Sequence, residues 1–110
     1  GKWEMIMHQL FAENRDALAG LCRLYAVRRL DVFGSAARGK DFDPARSDAD
    51  LLVEFAPEAD DLVTFLDFKD ALEALLGRPV DLVERRAVEA SRNSIRRRRI
   101  LSESELLYAA

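Results

Sequence analysis

Hydrophobic and polar positions alternate along the chain with two different periods, and the change of period separates helices from strands. Apolar side chains at helical spacing predict an amphipathic helix over residues 5–28 and a second helix over residues 61–76. Asp60 or Asp61 is a suitable N-cap for the second helix. A more polar helix is predicted over residues 91–101.

Short apolar runs lie between these helices and have the length of β-strands. Strands are predicted at residues 30–33, 49–55 and 80–83, with an edge strand at residues 105–108. A short helix is expected to begin within residues 36–39, and a polar loop is expected over residues 40–47. The pattern alone indicates a chain of mixed α and β structure.

Composition narrows the class of protein. The 110 residues are 49% hydrophobic and 34% charged, which is typical of one soluble globular domain over residues 1–110. No apolar run approaches the ~20 residues that a membrane-spanning helix needs, and Cys22 is the only cysteine, so a reducing cytoplasm is expected. The net charge of −3 argues against a general nucleic-acid-binding protein.

Two aspartates at the start of the 49–55 run are the main candidates for chemistry. Asp48 and Asp50 are two residues apart, so an extended strand turns both carboxylates to the same face. Two neighbouring carboxylates repel unless a cation lies between them, and their hard oxygen atoms suit Mg²⁺ or Mn²⁺. Two solvated aspartates after a loop remain the simpler interpretation.

A Gly-Ser turn precedes the aspartates by thirteen residues. Gly34 permits close backbone approach or a positive φ, and Ser35 can donate its hydroxyl to a phosphate oxygen. Ser35 is equally suited to cap a following helix, and the two roles are compatible because both use the same helix end.

The sequences GSAARG and SDADLLV together resemble the signature of the polymerase-β-type nucleotidyltransferase superfamily. Within it, the chain is most similar to the minimal nucleotidyltransferases, antitoxins that accompany HEPN-domain ribonuclease toxins. GRPVDLVE at residues 77–84 resembles the strand that supplies the family's third carboxylate, here Asp81, and SIRRRRILSESELLY at residues 94–108 resembles its closing helix and last strand. The resemblance implies an α/β (α+β) fold, a small mixed β-sheet flanked by helices.

The resemblance also implies a set of functional residues. Asp48, Asp50 and Asp81 would be the catalytic residues and the ligands of two Mg²⁺ ions, and Gly34, Ser35, Arg38 and Ser47 would bind the nucleotide. Ser47 is expected to act structurally rather than catalytically. The implied reaction transfers AMP from ATP to a tyrosine hydroxyl of a HEPN toxin.

Simpler interpretations exist for several of these residues. Asp81 could be an exposed residue on a half-solvated strand, and Arg38 could pair with Asp41 or Asp43 on the surface. Arg92 and the run of arginines at 96–99 could form a solvated helix, a docking surface for an acidic partner, or a contact to nucleotide phosphate. His8 and Cys22 have no companion ligands in the sequence and are interpreted as structural.

Two other functions are compatible with the sequence. The chain could neutralise a toxin by docking alone, as a nucleotide-binding antitoxin without catalysis. It could also modify a small molecule such as an antibiotic, although little of the chain is left to enclose a second substrate once the nucleotide core is built. A protein acceptor is therefore expected, no membrane or direct nucleic-acid partner is expected, and a homo-oligomer is possible.

Overall fold

The structure, a computed structural model, describes residues 9–34 and 48–110. Within these ranges four strands form one sheet in the order β3-β2-β1-β4. The strands are β1 (Val27–Phe33), β2 (Ala49–Phe55), β3 (Val80–Glu84) and β4 (Glu105–Ala109). β1 is antiparallel to both β2 and β4, whereas β3 is parallel to β2. The mixed sheet with helices confirms the α/β fold class.

Four α-helices and one short 3₁₀ helix surround this sheet in the described part of the chain. They are α1 (Arg15–Leu24), the 3₁₀ helix (Pro57–Ala59), α2 (Leu62–Leu76), α3 (Arg85–Glu89) and α4 (Ser94–Glu103). Residues 9–13 are helical as well. None of the helices within residues 9–34 and 48–110 combines the length and the apolar character needed to cross a membrane.

Alternate residues of the strands supply two hydrophobic clusters on opposite sides of the sheet. The larger cluster combines the inward residues of β1, β2 and β3 with Leu18 and Cys22 of α1 and Phe68 and Leu72 of α2. Burial raises the pKa of the Cys22 thiol to about 12, in agreement with a structural role. The smaller cluster lies on the other side and contains Phe33, Leu52, Val88 and Ile100.

The second predicted helix agrees closely with the structure. α2 begins after Asp61, whose carboxylate accepts a hydrogen bond from the Thr64 backbone N–H at 2.8 Å. It ends at Gly77, which adopts a left-handed conformation with φ 67°. A side-chain N-cap and a glycine C-cap are strong local signals, so both ends of this helix were predictable.

The prediction of one continuous helix over residues 5–28 is wrong in two respects: the helix is interrupted, and it ends earlier than predicted. Asn14 interrupts the helix, and α1 ends before Ala26, which has φ 55°. β1 then starts at Val27, three residues earlier than predicted, because its first residues pair with Phe55 of β2 and Ala109 of β4. Residues 5–8 lie outside the described residues.

The prediction of a helix over residues 91–101 is also wrong at its start. The structure has a separate short helix, α3, directly after β3, and α4 begins only at Ser94. The Asn93 side chain caps α4 by accepting a hydrogen bond from the Arg96 N–H at 3.0 Å.

The edge strand predicted at 105–108 is confirmed as β4. The short helix predicted to begin within 36–39 and the loop predicted over 40–47 lie outside the described residues.

Candidate active site

Asp50 lies where the ends of three strands meet. It is the second residue of β2 and pairs with Phe33, the last residue of β1, and with Asp81, the second residue of β3. Residues paired in register on neighbouring strands point to the same face, and the strands are ~4.8 Å apart. The sheet therefore places the Asp50 and Asp81 side chains next to each other.

Burial of the neighbouring residues fixes the direction of these two carboxylates. Ala49 and Leu51 are fully buried in the larger cluster, and so are Val80 and Leu82 apart from a few per cent of their surface. Since side chains alternate along a strand, the aspartates between them must point to the opposite face. Asp81 is exposed and Asp50 is half-buried, while Asp48 is exposed immediately before β2.

Gly34 provides close backbone packing against Asp50. It has φ 67°, and a Cβ atom at this position would overlap the Asp50 Oδ2 atom and lie 3.3 Å from its Cγ. A side chain here would therefore displace the carboxylate and would also be strained. The interpretation of Gly34 as the residue that permits close approach is consistent with this geometry.

The carboxylate oxygen atoms at this site are suitable ligands for a divalent cation, although the described side chains do not form a metal-binding group. Asp48, Asp50 and Asp81 supply hard oxygen atoms, as Mg²⁺ requires. Among residues 9–34 and 48–110, no three His, Cys, Asp or Glu side chains form a group that could hold a metal ion. Metal binding by these three aspartates therefore stays a prediction.

Three of the residues implied by the family resemblance belong to the segment 35–47. Ser35, Arg38 and Ser47 lie outside the described residues. Their assignment to nucleotide binding stays a prediction from sequence.

Helix α4 forms the second wall of a cleft that begins at Asp50. The cleft has a volume of about 620 Å³, and its lining includes Gly34, Asp50, Arg96 and Arg99. The sequence left the arginine run open between a solvated helix and a functional surface. The structure places two of the four arginines across from the acidic end of the sheet.

A buried aspartate in β1 was not anticipated. Asp31 of β1 has no exposed surface, and its carboxylate accepts hydrogen bonds from Arg29 Nε at 2.8 Å and Arg29 Nη2 at 3.1 Å. Arg85, the first residue of α3, approaches the same carboxylate at 3.5 Å. Asp31 thus links the sheet to the start of α3. The sequence signal that could have revealed the buried aspartate is an acidic residue inside the apolar run LDVF.

Glu73 of α2 holds the start of β3, one residue before Asp81. Its Oε2 atom accepts a hydrogen bond from the Val80 backbone N–H at 2.8 Å and from Lys69 Nζ at 3.3 Å. The Val80 hydrogen bond, with a smaller contribution from Lys69, lowers the pKa of Glu73. The helix therefore helps to set the position of the strand that carries Asp81.

Comparison with known proteins identifies the family to which this chain belongs. The sequence profile described as "Nucleotidyltransferase domain" matches residues 15–105, which include the strands that carry Asp50 and Asp81. The chain belongs to the nucleotidyltransferase domain family. A relative from Thermococcus cleftensis, named protein adenylyltransferase MntA, is 41% identical over 66 residues. The match covers 60% of this chain and 64% of that protein, so the chain spans somewhat less than two thirds of this relative.

Solved structures support the same fold for this nucleotidyltransferase domain. A protein provisionally described as a minimal nucleotidyltransferase superimposes with a TM-score of 0.70 at 36% identity. The match covers 90% of this chain and 93% of that one. A toxin–antitoxin complex solved with AMP-PNP gives a TM-score of 0.65 at 22% identity, covering 88% of this chain and 74% of that one, and shows similarity of fold.

Proposed function

We propose that the chain is a nucleotidyltransferase that transfers AMP from ATP to a hydroxyl group of a partner protein. The observation that carries the proposal is the register of β2 and β3, which sets Asp50 beside Asp81 at the end of the sheet. The Gly34 backbone packs against the Asp50 carboxylate. A cleft large enough for a nucleotide opens beside Asp50. The name of the 41% identical MntA relative supports AMP as the transferred group.

In the proposed reaction the hydroxyl oxygen of the acceptor attacks the α-phosphorus of ATP. The bond between the α-phosphorus and the bridging oxygen breaks, and pyrophosphate leaves. Asp81 assists by accepting the hydroxyl proton, since it is the exposed carboxylate next to Asp50. Gly34, Ser35, Arg38 and Ser47 bind the nucleotide.

Mg²⁺ is proposed as the cofactor, held by Asp48, Asp50 and Asp81, with two ions expected. When bound, it would stabilise negative charge on the attacking and leaving oxygen atoms. Its positive charge would offset the repulsion expected between neighbouring carboxylates.

The proposed acceptor is a tyrosine of a HEPN-domain ribonuclease toxin, which the modification would neutralise. The resemblance of GSAARG and SDADLLV to the minimal nucleotidyltransferases supports this choice of partner. The toxin–antitoxin complex with the same fold adds support for a toxin as the partner and for an adenine nucleotide as the substrate.

The test uses ATP labelled at two different positions. The purified chain is incubated with Mg²⁺ and a HEPN protein encoded beside it, and label is followed from α-labelled and from γ-labelled ATP. Nucleotidyl transfer predicts label on the partner only from α-labelled ATP, with a mass increase of AMP on a tyrosine peptide. Label from γ-labelled ATP would instead indicate phosphoryl transfer, and a partner without any label would reject the proposal.

Neutralisation by docking alone is the second candidate, and one surface favours it. Leu62, Val63 and Leu66 are 70%, 69% and 47% exposed, which concentrates large apolar side chains on the solvent side of the first turns of α2. If Asp50→Asn removes AMP transfer while toxin inhibition persists, docking is sufficient. If Leu62→Ser with Leu66→Ser releases the toxin while the transfer site is intact, this surface holds the partner.

A further inference from the structure

The four consecutive arginines of α4 are not equivalent. Successive helical residues are 100° apart, so residues separated by three positions lie on one face. Arg96 and Arg99 have this separation, and both line the cleft that contains Asp50. Arg97 is turned away, because its Nη1 atom donates a hydrogen bond to the Ser91 carbonyl oxygen at 2.6 Å. Arg98 is exposed and is not part of the cleft lining.

Helix α4 is fixed firmly enough to position these two arginines. Ile100 is buried against Phe33, Leu52 and Val88 in the smaller cluster. At the other end, the Asn93 cap and the hydrogen bond from Arg97 to the chain before the helix hold its first turn. The helix therefore presents Arg96 and Arg99 to the acidic end of the sheet.

The two guanidinium groups are available for a ligand. Arg96 is exposed, and Arg99 makes an ion pair with Glu103 at 3.6 Å while its side chain remains 64% exposed. An ion pair this long and this exposed contributes little, so exchanging it for a phosphate group costs little. Guanidinium groups bind phosphate oxygens through paired hydrogen bonds.

Charges of opposite sign thus face each other across one cleft. Asp50 lies on the side of the sheet, and Arg96 and Arg99 lie on the side of α4 together with Glu103, the ion-pair partner of Arg99, so the α4 side carries one net positive charge. A ligand that carries both a bound cation and several negative charges matches this arrangement better than a ligand of a single sign. The volume of about 620 Å³ is within the range for small-molecule sites.

We propose that Arg96 and Arg99 bind the phosphate groups of the nucleoside triphosphate substrate from the side opposite to Asp50. The inference rests on the proposed function and adds to it a second phosphate-binding element, remote in sequence from the Gly-Ser turn. Arg97 and Arg98 have no part in nucleotide binding.

Calorimetric titration with Mg²⁺ and AMP-PNP tests this assignment directly. The test variant is Arg96→Gln with Arg99→Gln, and the matched control is Arg92→Gln with Arg98→Gln. Each double variant removes two positive charges. Arg92 and Arg98 are exposed and do not line the cleft. Loss of charge-assisted hydrogen bonds predicts a Kd at least about tenfold higher for the test variant. The control is expected to stay within about twofold of the unchanged chain.

Other outcomes separate this inference from the proposed function. If the unchanged chain binds AMP-PNP and transfers AMP, but the test variant binds AMP-PNP equally well, the arginines do not hold the nucleotide and only this inference fails. An equal loss in test and control variants would show a general charge effect and would also overturn it. If the unchanged chain binds no AMP-PNP at all, the proposed function fails together with the inference.

Discussion

The two faces of the sheet are built from the same strands but have different chemistry. On one face, Leu51 and its alternate neighbours pack against α1 and α2 in the larger cluster. On the other face, Asp50 and Asp81 lie at the end of the sheet, and the smaller cluster around Leu52 and Ile100 supports α4. Since side chains alternate along a strand, one stretch of sequence can specify a stable core and a charged site at once. Stability and activity should therefore respond differently to neighbouring substitutions.

The largest expected effect on stability comes from truncating the larger cluster. Leu51→Ala should lower the free energy of unfolding by about 2–5 kcal/mol, because it leaves a cavity among fully buried side chains. Leu52→Ala is the matched comparison, since Leu52 is equally buried but packs in the smaller cluster beneath α4. Denaturant unfolding is expected to show a smaller loss for Leu52→Ala, together with weaker AMP-PNP binding. Equal effects of both variants on stability and on binding would contradict the separation of the two faces.

Asp81→Asn should separate binding from chemistry on the charged face. AMP-PNP binding in the presence of Mg²⁺ should stay within a few-fold, while transfer should fall by at least ~10²-fold, the loss typical of removing a general base. Calorimetry and a transfer assay on the same preparation measure the two quantities. If binding is lost together with transfer, Asp81 acts mainly as a metal ligand.

The ion pairs of Asp31 stabilise the junction between the sheet and α3. Asp31→Ala should lower the free energy of unfolding by about 1–3 kcal/mol, because it removes the buried carboxylate that pairs with both Arg29 and Arg85. Arg29 is 44% exposed and can be solvated, which keeps the loss below that of a fully buried pair. Thermal unfolding midpoints of Asp31→Ala, Arg29→Gln and the unchanged chain measure the loss of stability. An unchanged midpoint in Asp31→Ala would contradict the stabilising role of these ion pairs.

A smaller, pH-dependent effect is expected from Glu73. Its folded pKa lies below the usual value, so its contribution to stability is present above the unfolded pKa and is lost as pH falls through the folded pKa. Glu73→Gln should therefore destabilise the chain at neutral pH and lose less stability on acidification. Unfolding midpoints between pH 3 and pH 7, with Asp70→Asn as the exposed control on the same helix, measure the difference. Parallel pH profiles for Glu73→Gln and the unchanged chain would contradict it.

Local patterns predicted some parts of this molecule well. β2 and α2 have clear periodicity and α2 has strong caps, so both appear in the structure close to where they were expected. The alternation along β2 predicted only that Asp48 and Asp50 share a face, whereas a position of Asp81 in the same site was implied by the family resemblance. The start of β1 was missed because Val27 is held in the sheet by pairing with Phe55, which is distant in sequence.

Other features depend on how distant segments meet. A run of four arginines covers every side of a helix, so its spacing could not reveal that Arg96 and Arg99 face the cleft. Arg85, the second arginine that pairs with the buried Asp31, is more than fifty residues away from it, and no local signal links the two. Tertiary packing supplies this information in both cases.

AMP transfer by the Asp50→Asn variant tests the central claim most directly. The variant and the unchanged chain are incubated with α-labelled ATP, Mg²⁺ and the HEPN partner, and their thermal unfolding midpoints are recorded in parallel. Label on the partner should fall by at least ~10²–10³-fold, since charge stabilisation at the reacting phosphate is lost, while the unfolding midpoint is unchanged or higher. Undiminished transfer by a folded Asp50→Asn variant would show that the chemistry takes place elsewhere.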